Sequence, residues 1–184
     1  HSKRILEQLK DGFLYAFDQD IFAIEYAKKR LEGLNHFELI QSNFRHLKQE
    51  LERRGVQKID GILMDLGLSS FQIDDESRGF SYLRQTKLDM RMDQNLAFTA
   101  ADLLNTWSYE AMVDIFYRYG EEKKSGFIAK KIIENRPIQY TQELVKITDM
   151  AHYKEKGHSA KRVFQALRIA VNGELDALET VLKD

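Results

Sequence analysis

Apolar residues in the first third of the chain occur in two alternating patterns. Three short, mostly apolar runs, Phe13–Phe17, Phe37–Ile40 and Ile59–Leu66, predict short buried strands. The segments between them, Ile21–Leu31 and Phe44–Arg54, place apolar side chains three and four positions apart, which predicts helices. Strands that alternate with helices at this spacing predict a parallel sheet with crossover helices.

The pattern changes after the third run. Residues 74–96 are polar and turn-like, and the chain has a helical pattern only from Thr99 onward. Thr99, Ser108 and Thr141 each precede such a pattern and are predicted to be N-caps. Apolar residues then continue at helical spacing through 160–182, which predicts one long final helix. Strands followed by a helical block indicate an α/β core with a helical insertion.

Length and composition narrow the class of protein. A chain of 184 residues allows one domain, or one domain with an insertion, and 43% hydrophobic residues can bury a sizeable core. The net charge of -1 does not by itself indicate nucleic-acid binding. The absence of cysteine excludes a disulfide framework and suits a reducing, cytoplasmic location. No apolar run reaches the roughly 18 residues that span a bilayer, so we expect no membrane partner.

Two smaller features add expectations. The first residues, His1-Ser-Lys-Arg-Ile-Leu6, include neither an initiator methionine nor an apolar signal-peptide core, so we expect the middle of an element rather than a leader. The five histidines show no metal-ligand spacing, so we expect no metal site.

Asp18 follows the first predicted strand. In nucleotide-binding α/β proteins an acidic residue at a strand end accepts hydrogen bonds from ribose hydroxyls, about 20 residues after a glycine-rich loop. The alternative is that Asp18 merely caps the helix that begins at Ile21, although Asp20 is nearer to that helix. The same position also serves NAD-binding proteins, so the spacing does not choose the cofactor.

Phe44 follows the second predicted strand. An aromatic ring at this point can lie against an adenine, but ordinary packing at the start of a helix explains a lone Phe equally well. Asn43 is a candidate N-cap for that helix.

Asp65 lies next to the end of the third predicted run, at the edge where ligands bind in open α/β sheets. Gly67 then lets the backbone approach a ligand, and the hydroxyls of Ser69 and Ser70 follow. A carboxylate at such a turn can orient the hydrogen-bond donors of a ligand and balance a developing positive charge. The alternative is a loop whose polar side chains cap its own backbone.

The string Leu88-Asp-Met-Arg-Met-Asp93 alternates charge with methionine. Its charges could tie the loop together as ion pairs, which is the simpler interpretation of Asp89 and Asp93. The functional interpretation is that Arg91, or the preceding Arg78, touches a phosphate or a flipped base.

The stretch from His152 to Ile169 is basic. It carries five positive side chains against Glu155, a local charge of +4, and these are Lys154, Lys156, Lys161, Arg162 and Arg168. Such a stretch is usually a solvated face, but it could also neutralise RNA phosphates, which dominate nucleic-acid affinity.

Several long strings together resemble one family, the bacterial-type methyltransferases that methylate the N4 amino group of a cytosine in small-subunit ribosomal RNA. The resemblance covers nearly the whole chain. Its strings are Leu14–Asp20, Ser42–Arg45, Asp60–Ser70, Arg78–Ser81, Leu88–Asp93, Tyr119–Glu122 and Phe164–Ile169 with Val171-Asn172.

This resemblance implies a Rossmann-like core that uses S-adenosyl-L-methionine, with the N- and C-terminal parts of the family absent and a helical insertion that helps to bind RNA. The implied core is 1–77 with 158–184, and the implied insertion is 78–157. Asp65 is the expected catalytic residue. The expected cofactor contacts are His1, Asp18, Phe44, Asp65 and Gln72, and the expected substrate contacts are Ser69, Arg91, Lys161 and Arg162.

The chain departs from the family pattern at Phe71, Lys87 and Ser159, where proline is usual. Two other classes stay open: a non-catalytic RNA-binding or ribosome-assembly module on the same fold, and a dinucleotide-binding oxidoreductase.

Overall fold

The computed structural model describes residues 1–152 and 156–184. Contacts between Cα atoms divide these residues into two compact units. The first unit comprises His1–Met64, Met92–Gln94 and Glu174–Asp184, and the second comprises Asp65–Arg91 and Asn95–Gly173.

Helices predominate among the described residues. In chain order the elements are α1 (Ser2–Leu6), β1 (Leu14–Asp18), α2 (Ile21–Arg30), β2 (Phe37–Gln41), α3 (Leu47–Glu52), α4 (Ser70–Asp74), α5 (Ala100–Thr106), α6 (Tyr109–Arg118), α7 (Ser125–Glu134), α8 (Thr141–Ala151), α9 (Lys161–Asn172) and α10 (Glu174–Lys183). Single 3-10 turns occupy Phe44–His46 and Glu76–Arg78.

The first unit holds a parallel pair of strands, as the sequence predicts. Residues of β1 and β2 pair in register from Leu14 with Phe37 to Asp18 with Gln41. Helix α2 provides the crossover between them. Both strands therefore end at the same edge, which places Asp18 near the turn after Gln41.

The predicted third strand at Ile59–Leu66 is wrong for the described residues. This segment has no regular secondary structure, and its apolar side chains are exposed, Leu63 by 61% and Leu66 by 51%. An apolar run shows that side chains favour burial, but a strand also needs a neighbouring backbone with which to pair. Among the described backbone hydrogen bonds, none pairs this segment with another strand.

The second unit is helical and has a well-packed core. Its fully buried side chains come from α5, α6, α7 and α9 and include Leu103, Phe116, Ile128 and Leu167, each 0% exposed. No helix among residues 1–152 and 156–184 is long and apolar enough to cross a membrane.

Two of the three predicted N-caps in this part are confirmed. The Thr99 hydroxyl accepts the N–H of Asp102, whose carboxylate accepts the Thr99 N–H, a complete capping box. The Ser108 hydroxyl caps α6 through the N–H of Ala111. The prediction for Thr141 is wrong, because this residue is the first of α8 and its hydroxyl donates to the carbonyl oxygen of Arg84.

The prediction of a single final helix is also wrong. Gly173 adopts a left-handed conformation, with φ 58°, which ends α9 and begins α10 one residue later. Apolar residues keep their helical spacing across this point, so the periodicity does not reveal the break. The two helices belong to different units.

The second unit does not have the same bounds as the insertion predicted at 78–157. It includes 65–77 and 158–173 as well. The predicted insertion is a segment that interrupts the methyltransferase core of the family. Division into compact units does not test this, so the insertion stays a prediction.

Candidate functional site

In the first unit, Asp18 stands at the carboxyl end of β1. Its side chain is exposed, and its Oδ1 accepts the N–H of Asp20 at 2.8 Å. Asp20 is only 1% exposed and caps α2 by accepting the N–H of Phe22 at 3.1 Å. The alternative role for Asp18, as the cap of this helix, is therefore wrong. Asp18 presents an exposed carboxylate at the edge where parallel sheets bind ligands.

Phe44 lies at the same edge, after β2. It starts the 3-10 turn at Phe44–His46 and is half-buried. Asn43 caps this turn, as predicted, because its Oδ1 accepts the N–H of Arg45 at 3.0 Å. The register of the two strands thus brings an exposed carboxylate and an aromatic ring to one edge of the first unit.

Gln19 bridges the ends of the two strands. Its Oε1 accepts a hydrogen bond from Asn43 Nδ2 at 2.8 Å, and its Nε2 donates to the Sδ of Met92 at 3.1 Å. Met92 is 6% exposed. The sequence does not single out Gln19, because its partners lie 24 and 73 residues away.

His1 begins the first unit. Its side chain is exposed, and its carbonyl oxygen accepts the N–H of Ile5 in α1 at 3.0 Å. It lines a shallow groove with α1 and Leu63. A contact from His1 to a cofactor stays a prediction.

In the second unit, Asp65 lies in the exposed segment before α4. Gly67 has φ 115°, a conformation that favours glycine and turns the chain toward that helix. Ser69 and Gln72 then form a capping box, with the Ser69 hydroxyl accepting the Gln72 N–H at 3.2 Å and Gln72 Oε1 accepting the Ser69 N–H at 3.1 Å. Asp65 is exposed, so its carboxylate is accessible.

The capping box changes how Ser69 and Gln72 can be interpreted. Gln72 is 6% exposed, so its amide is built into the start of α4. The expectation that polar side chains of this loop cap its own backbone is met by these two residues. Their roles toward substrate and cofactor stay predictions.

Arg91 and Asp89 form an ion pair. This agrees with the simpler interpretation of the Leu88–Asp93 string, in which its charges tie the loop together. Arg91 Nε and Nη2 donate to the two carboxylate oxygens of Asp89 at 2.8 and 2.7 Å, and Arg91 Nη1 donates to the carbonyl oxygen of Leu96. Burial alone would raise the pKa of Asp89, but the hydrogen bonds from the Arg91 side chain and backbone, with the charges of Arg91 and Arg78, lower it below its ordinary value.

Arg78 has a structural position. It is 2% exposed, and its Nη2 donates to the carbonyl oxygen of Arg91 at 2.9 Å. This burial contradicts the expectation that Arg78 touches a phosphate. The expectation for Arg91 stays a prediction, with its side chain 20% exposed beside Asp89.

The backbone of this loop is held at Met90. Met90 is fully buried and left-handed, with φ 62°, and its N–H donates to the carbonyl oxygen of Arg78 at 2.9 Å. Its own carbonyl oxygen accepts Asn172 Nδ2 at 2.8 Å. A left-handed non-glycine residue needs such surrounding support.

Lys161 and Arg162 start α9 with exposed side chains. The turn after α6 approaches the backbone here, since a Cβ on Gly120 would lie 2.5 Å from the carbonyl oxygen of Arg162. Gln165 also donates to the carbonyl oxygen of Tyr119 at 2.9 Å. Lys154 and Glu155 of the predicted basic stretch lie outside the described residues.

The comparisons with known proteins agree on one family. The model of the MraW methylase family matches residues 1–184. A protein of Acholeplasma laidlawii named Ribosomal RNA small subunit methyltransferase H 1 is 53% identical over 182 residues, covering 99% of this chain and 61% of the relative.

Two further relatives carry the name Ribosomal RNA small subunit methyltransferase H. The protein of Onion yellows phytoplasma is 50% identical, covering 100% of this chain and 60% of its own length. That of Mycoplasma mycoides subsp. mycoides SC is 52% identical, covering 100% and 61%. The chain thus spans about three fifths of the length of these relatives.

Proposed function

Because the chain belongs to the MraW methylase family, we propose that it transfers a methyl group from S-adenosyl-L-methionine to the N4 amino group of a cytidine in small-subunit, 16S-type ribosomal RNA, near the decoding centre. The names of the relatives support the class of reaction and of RNA. The structural observation that carries the proposal is the placement of Asp18 and Phe44 at one edge of the parallel sheet. Since such RNA is assembled into subunits in the bacterial cytoplasm, the proposed location is cytoplasmic.

The residues at this edge fit an adenosine-containing donor. An exposed carboxylate at the end of β1 can accept hydrogen bonds from two ribose hydroxyls, and the half-buried Phe44 ring can lie against an adenine. When bound, S-adenosyl-L-methionine supplies an electrophilic methyl group, and the electron pair of the broken C–S bond stays on sulfur. His1 and Gln72 are further proposed contacts to the donor.

Asp65 is the proposed catalytic residue. The cytosine amino group is a weak nucleophile, because its lone pair is delocalised into the ring. As this nitrogen bonds the methyl carbon it becomes positively charged, and it then gives up a proton to solvent water. An accessible carboxylate can hold the amino hydrogens and balance that charge, and Ser69 in the same turn is a proposed substrate contact.

The proposed RNA contacts are Arg91, Lys161 and Arg162. Lys161 and Arg162 project from the exposed start of α9, where they can meet phosphates. The ion pair with Asp89 holds the Arg91 side chain in one orientation. RNA binding to its exposed part would therefore cost little side-chain entropy.

The test uses the full-length protein with protein-free small-subunit RNA and with purified small subunits. Isotope-labelled methyl donor is supplied, the RNA is digested to nucleosides, and these are separated by mass spectrometry. Label in N4-methylcytidine is expected. Label in another nucleoside would overturn the proposed acceptor atom.

Measuring which cofactor the protein binds distinguishes a methyltransferase from an RNA-binding module and from an oxidoreductase. Calorimetric titration with S-adenosyl-L-methionine should show saturable binding, and NAD should not compete. Tight RNA binding without donor binding would indicate a non-catalytic RNA-binding or ribosome-assembly module. Preferential NAD binding would indicate an oxidoreductase.

A further inference from the structure

A short chain of polar side chains runs along the carboxyl edge of the first unit. Met92 Sδ accepts a hydrogen bond from Gln19 Nε2, Gln19 Oε1 accepts one from Asn43 Nδ2, and Asn43 Oδ1 accepts one from the N–H of Arg45. Gln19 is half-buried, so these bonds are partly shielded from competition with water.

Gln19 and Asn43 each adjoin a proposed donor contact. Gln19 follows Asp18, and Asn43 precedes Phe44. Regular pairing also ends here, with the N–H of Ser42 donating to the carbonyl oxygen of Asp18 at 3.0 Å. The side-chain bond between Gln19 and Asn43 is a second link between the two strand ends.

We propose that Gln19 is a positioning residue for the methyl donor, which sets the spacing between the Asp18 carboxylate and the Phe44 ring through Asn43. A nucleoside that contacts both residues needs them at a defined separation, because one glycosidic bond keeps its ribose and adenine a short distance apart. Gln19 contributes this distance without touching the donor. The inference rests on the proposed function, which supplies the adenosine group.

The second hydrogen bond of Gln19, to Met92, connects a third segment to the strand ends. Met92 belongs to the Leu88–Asp93 string, and residues Met92–Gln94 cluster with the first unit. Through its Nε2, Gln19 fixes this segment beside the strand ends. The Leu88–Asp93 segment therefore has a structural role beside the carboxyl ends of β1 and β2. Its charge pattern alone does not predict this role.

The experiment measures binding of S-adenosyl-L-methionine and of adenosine to the full-length protein by calorimetry. In Gln19→Leu, which keeps the volume and removes both hydrogen bonds, we expect the Kd of each ligand to rise about three- to tenfold, the range that the loss of a net hydrogen bond predicts. RNA affinity should stay within twofold. Gln49→Leu on α3 is the matched control and should change neither.

A double-mutant cycle distinguishes positioning from a loss of folding. If Gln19 acts through Asp18, adding Gln19→Leu to Asp18→Ala should weaken donor binding much less than it does in the wild-type background. Met92→Leu tests the sulfur bond alone and should raise the Kd by less than Gln19→Leu does. The midpoint of urea unfolding is recorded for every variant, with Gln19→Ala as the substitute if Gln19→Leu unfolds.

The outcomes separate the two proposals. If the wild-type protein does not bind the donor, the proposed function fails. If the wild type binds and the Kd of folded Gln19→Leu and Gln19→Ala stays within twofold, the proposed function stands and the positioning role is overturned. Full additivity of Gln19→Leu with Asp18→Ala would also overturn it.

Discussion

Glu122 and His152 are joined by a buried hydrogen bond in the second unit. Glu122 Oε2 lies 2.8 Å from His152 Nε2, and the Glu122 side chain is 0% exposed. Its other oxygen accepts the N–H of Lys124 at 2.8 Å. One carboxylate thus links the turn before α7 to the residue that follows α8.

This link should contribute measurably to stability. In Glu122→Ala, His152 and Lys124 lose a charged acceptor in a buried place, and the free energy of unfolding should fall by about 1.5 to 3 kcal/mol. Urea unfolding followed by circular dichroism measures the change. Glu121→Ala is the matched control, because Glu121 is exposed and adjoins Glu122. Equal effects of the two substitutions would contradict a special role for Glu122.

Gly79 should tolerate no side chain. Its φ is 69°, and an added Cβ would overlap the carbonyl oxygen of Lys87 and lie 2.8 Å from the Asp89 nitrogen. Gly55 provides the matched control, since its φ is 75° and nothing lies within 4 Å of its Cβ position. Gly55→Ala should lower the free energy of unfolding by about 1 to 2 kcal/mol, the cost of the left-handed conformation.

Gly79→Ala should cost at least about 2 kcal/mol more than Gly55→Ala, because backbone atoms must also move. Urea unfolding of both variants measures the difference. Similar losses would show that the segment around Lys87 relaxes easily and that conformation alone selects glycine at position 79.

Local chemistry explains which parts of the fold the sequence predicts. Asp20, Asn43, Thr99 and Ser108 are caps in the structure because a cap depends on residues two or three positions away. The break at Gly173 is not predicted, since a left-handed glycine leaves the apolar spacing intact.

Contacts between distant residues are what the sequence does not predict. Gln19 with Met92, and Glu122 with His152, are separated by 73 and 30 positions. The burial of Arg78 is likewise unexpected from a polar loop. Predicted strand ends indicate Asp18 and Phe44 correctly, whereas the strand predicted before Asp65 does not form in the described residues. The groups that support these candidates depend on contacts between distant residues.

The Asp89–Arg91 pair should make stability depend on acid pH. Because the pKa of Asp89 is lowered in the folded state, its contribution is present above the unfolded pKa of about 3.9 and is lost as the pH falls through the folded value. The stability difference between wild type and Asp89→Asn should therefore shrink as the pH falls from about 5 to about 2. Urea unfolding at a series of pH values measures it.

Other carboxylates also have lowered pKa values but are common to both proteins. The pKa values of Glu50, Glu134 and Glu179 are also lowered, by hydrogen bonds from Arg54, Lys131 and Lys183, so their contributions cancel in the difference. The exposed Asp74→Asn is the control for loss of one carboxylate. A difference that does not vary with pH would show that Asp89 stabilises the loop by shape rather than by charge.

Lys161 and Arg162 should account for part of the salt dependence of RNA binding. Replacing both with Gln should lower RNA affinity and reduce the slope of log affinity against log salt by about 2, one for each phosphate contact. Filter binding at several salt concentrations measures the slope. Arg168 is left unchanged because it is only half exposed on α9.

The control for this pair is Lys28→Gln with Lys29→Gln. These are also two consecutive exposed basic residues on a helix, but they lie on α2 of the first unit. They should leave the slope unchanged. An equal loss in both double variants would mean that RNA affinity follows net charge and not the start of α9.

Asp65→Asn should slow methyl transfer beyond any loss of donor affinity. Asn keeps the size and one acceptor oxygen of Asp but removes the charge, so the substitution separates charge from shape. If the carboxylate balances the positive charge that develops on the cytosine amine, the single-turnover rate at saturating donor and RNA should fall about 100-fold or more, as for the loss of a charge-stabilising group. Asp60→Asn, another exposed carboxylate in the segment before Asp65, is the matched control. If Asp65 only binds the donor, saturating donor should restore the wild-type rate, and full recovery would leave Asp65 as a binding residue rather than a catalytic one.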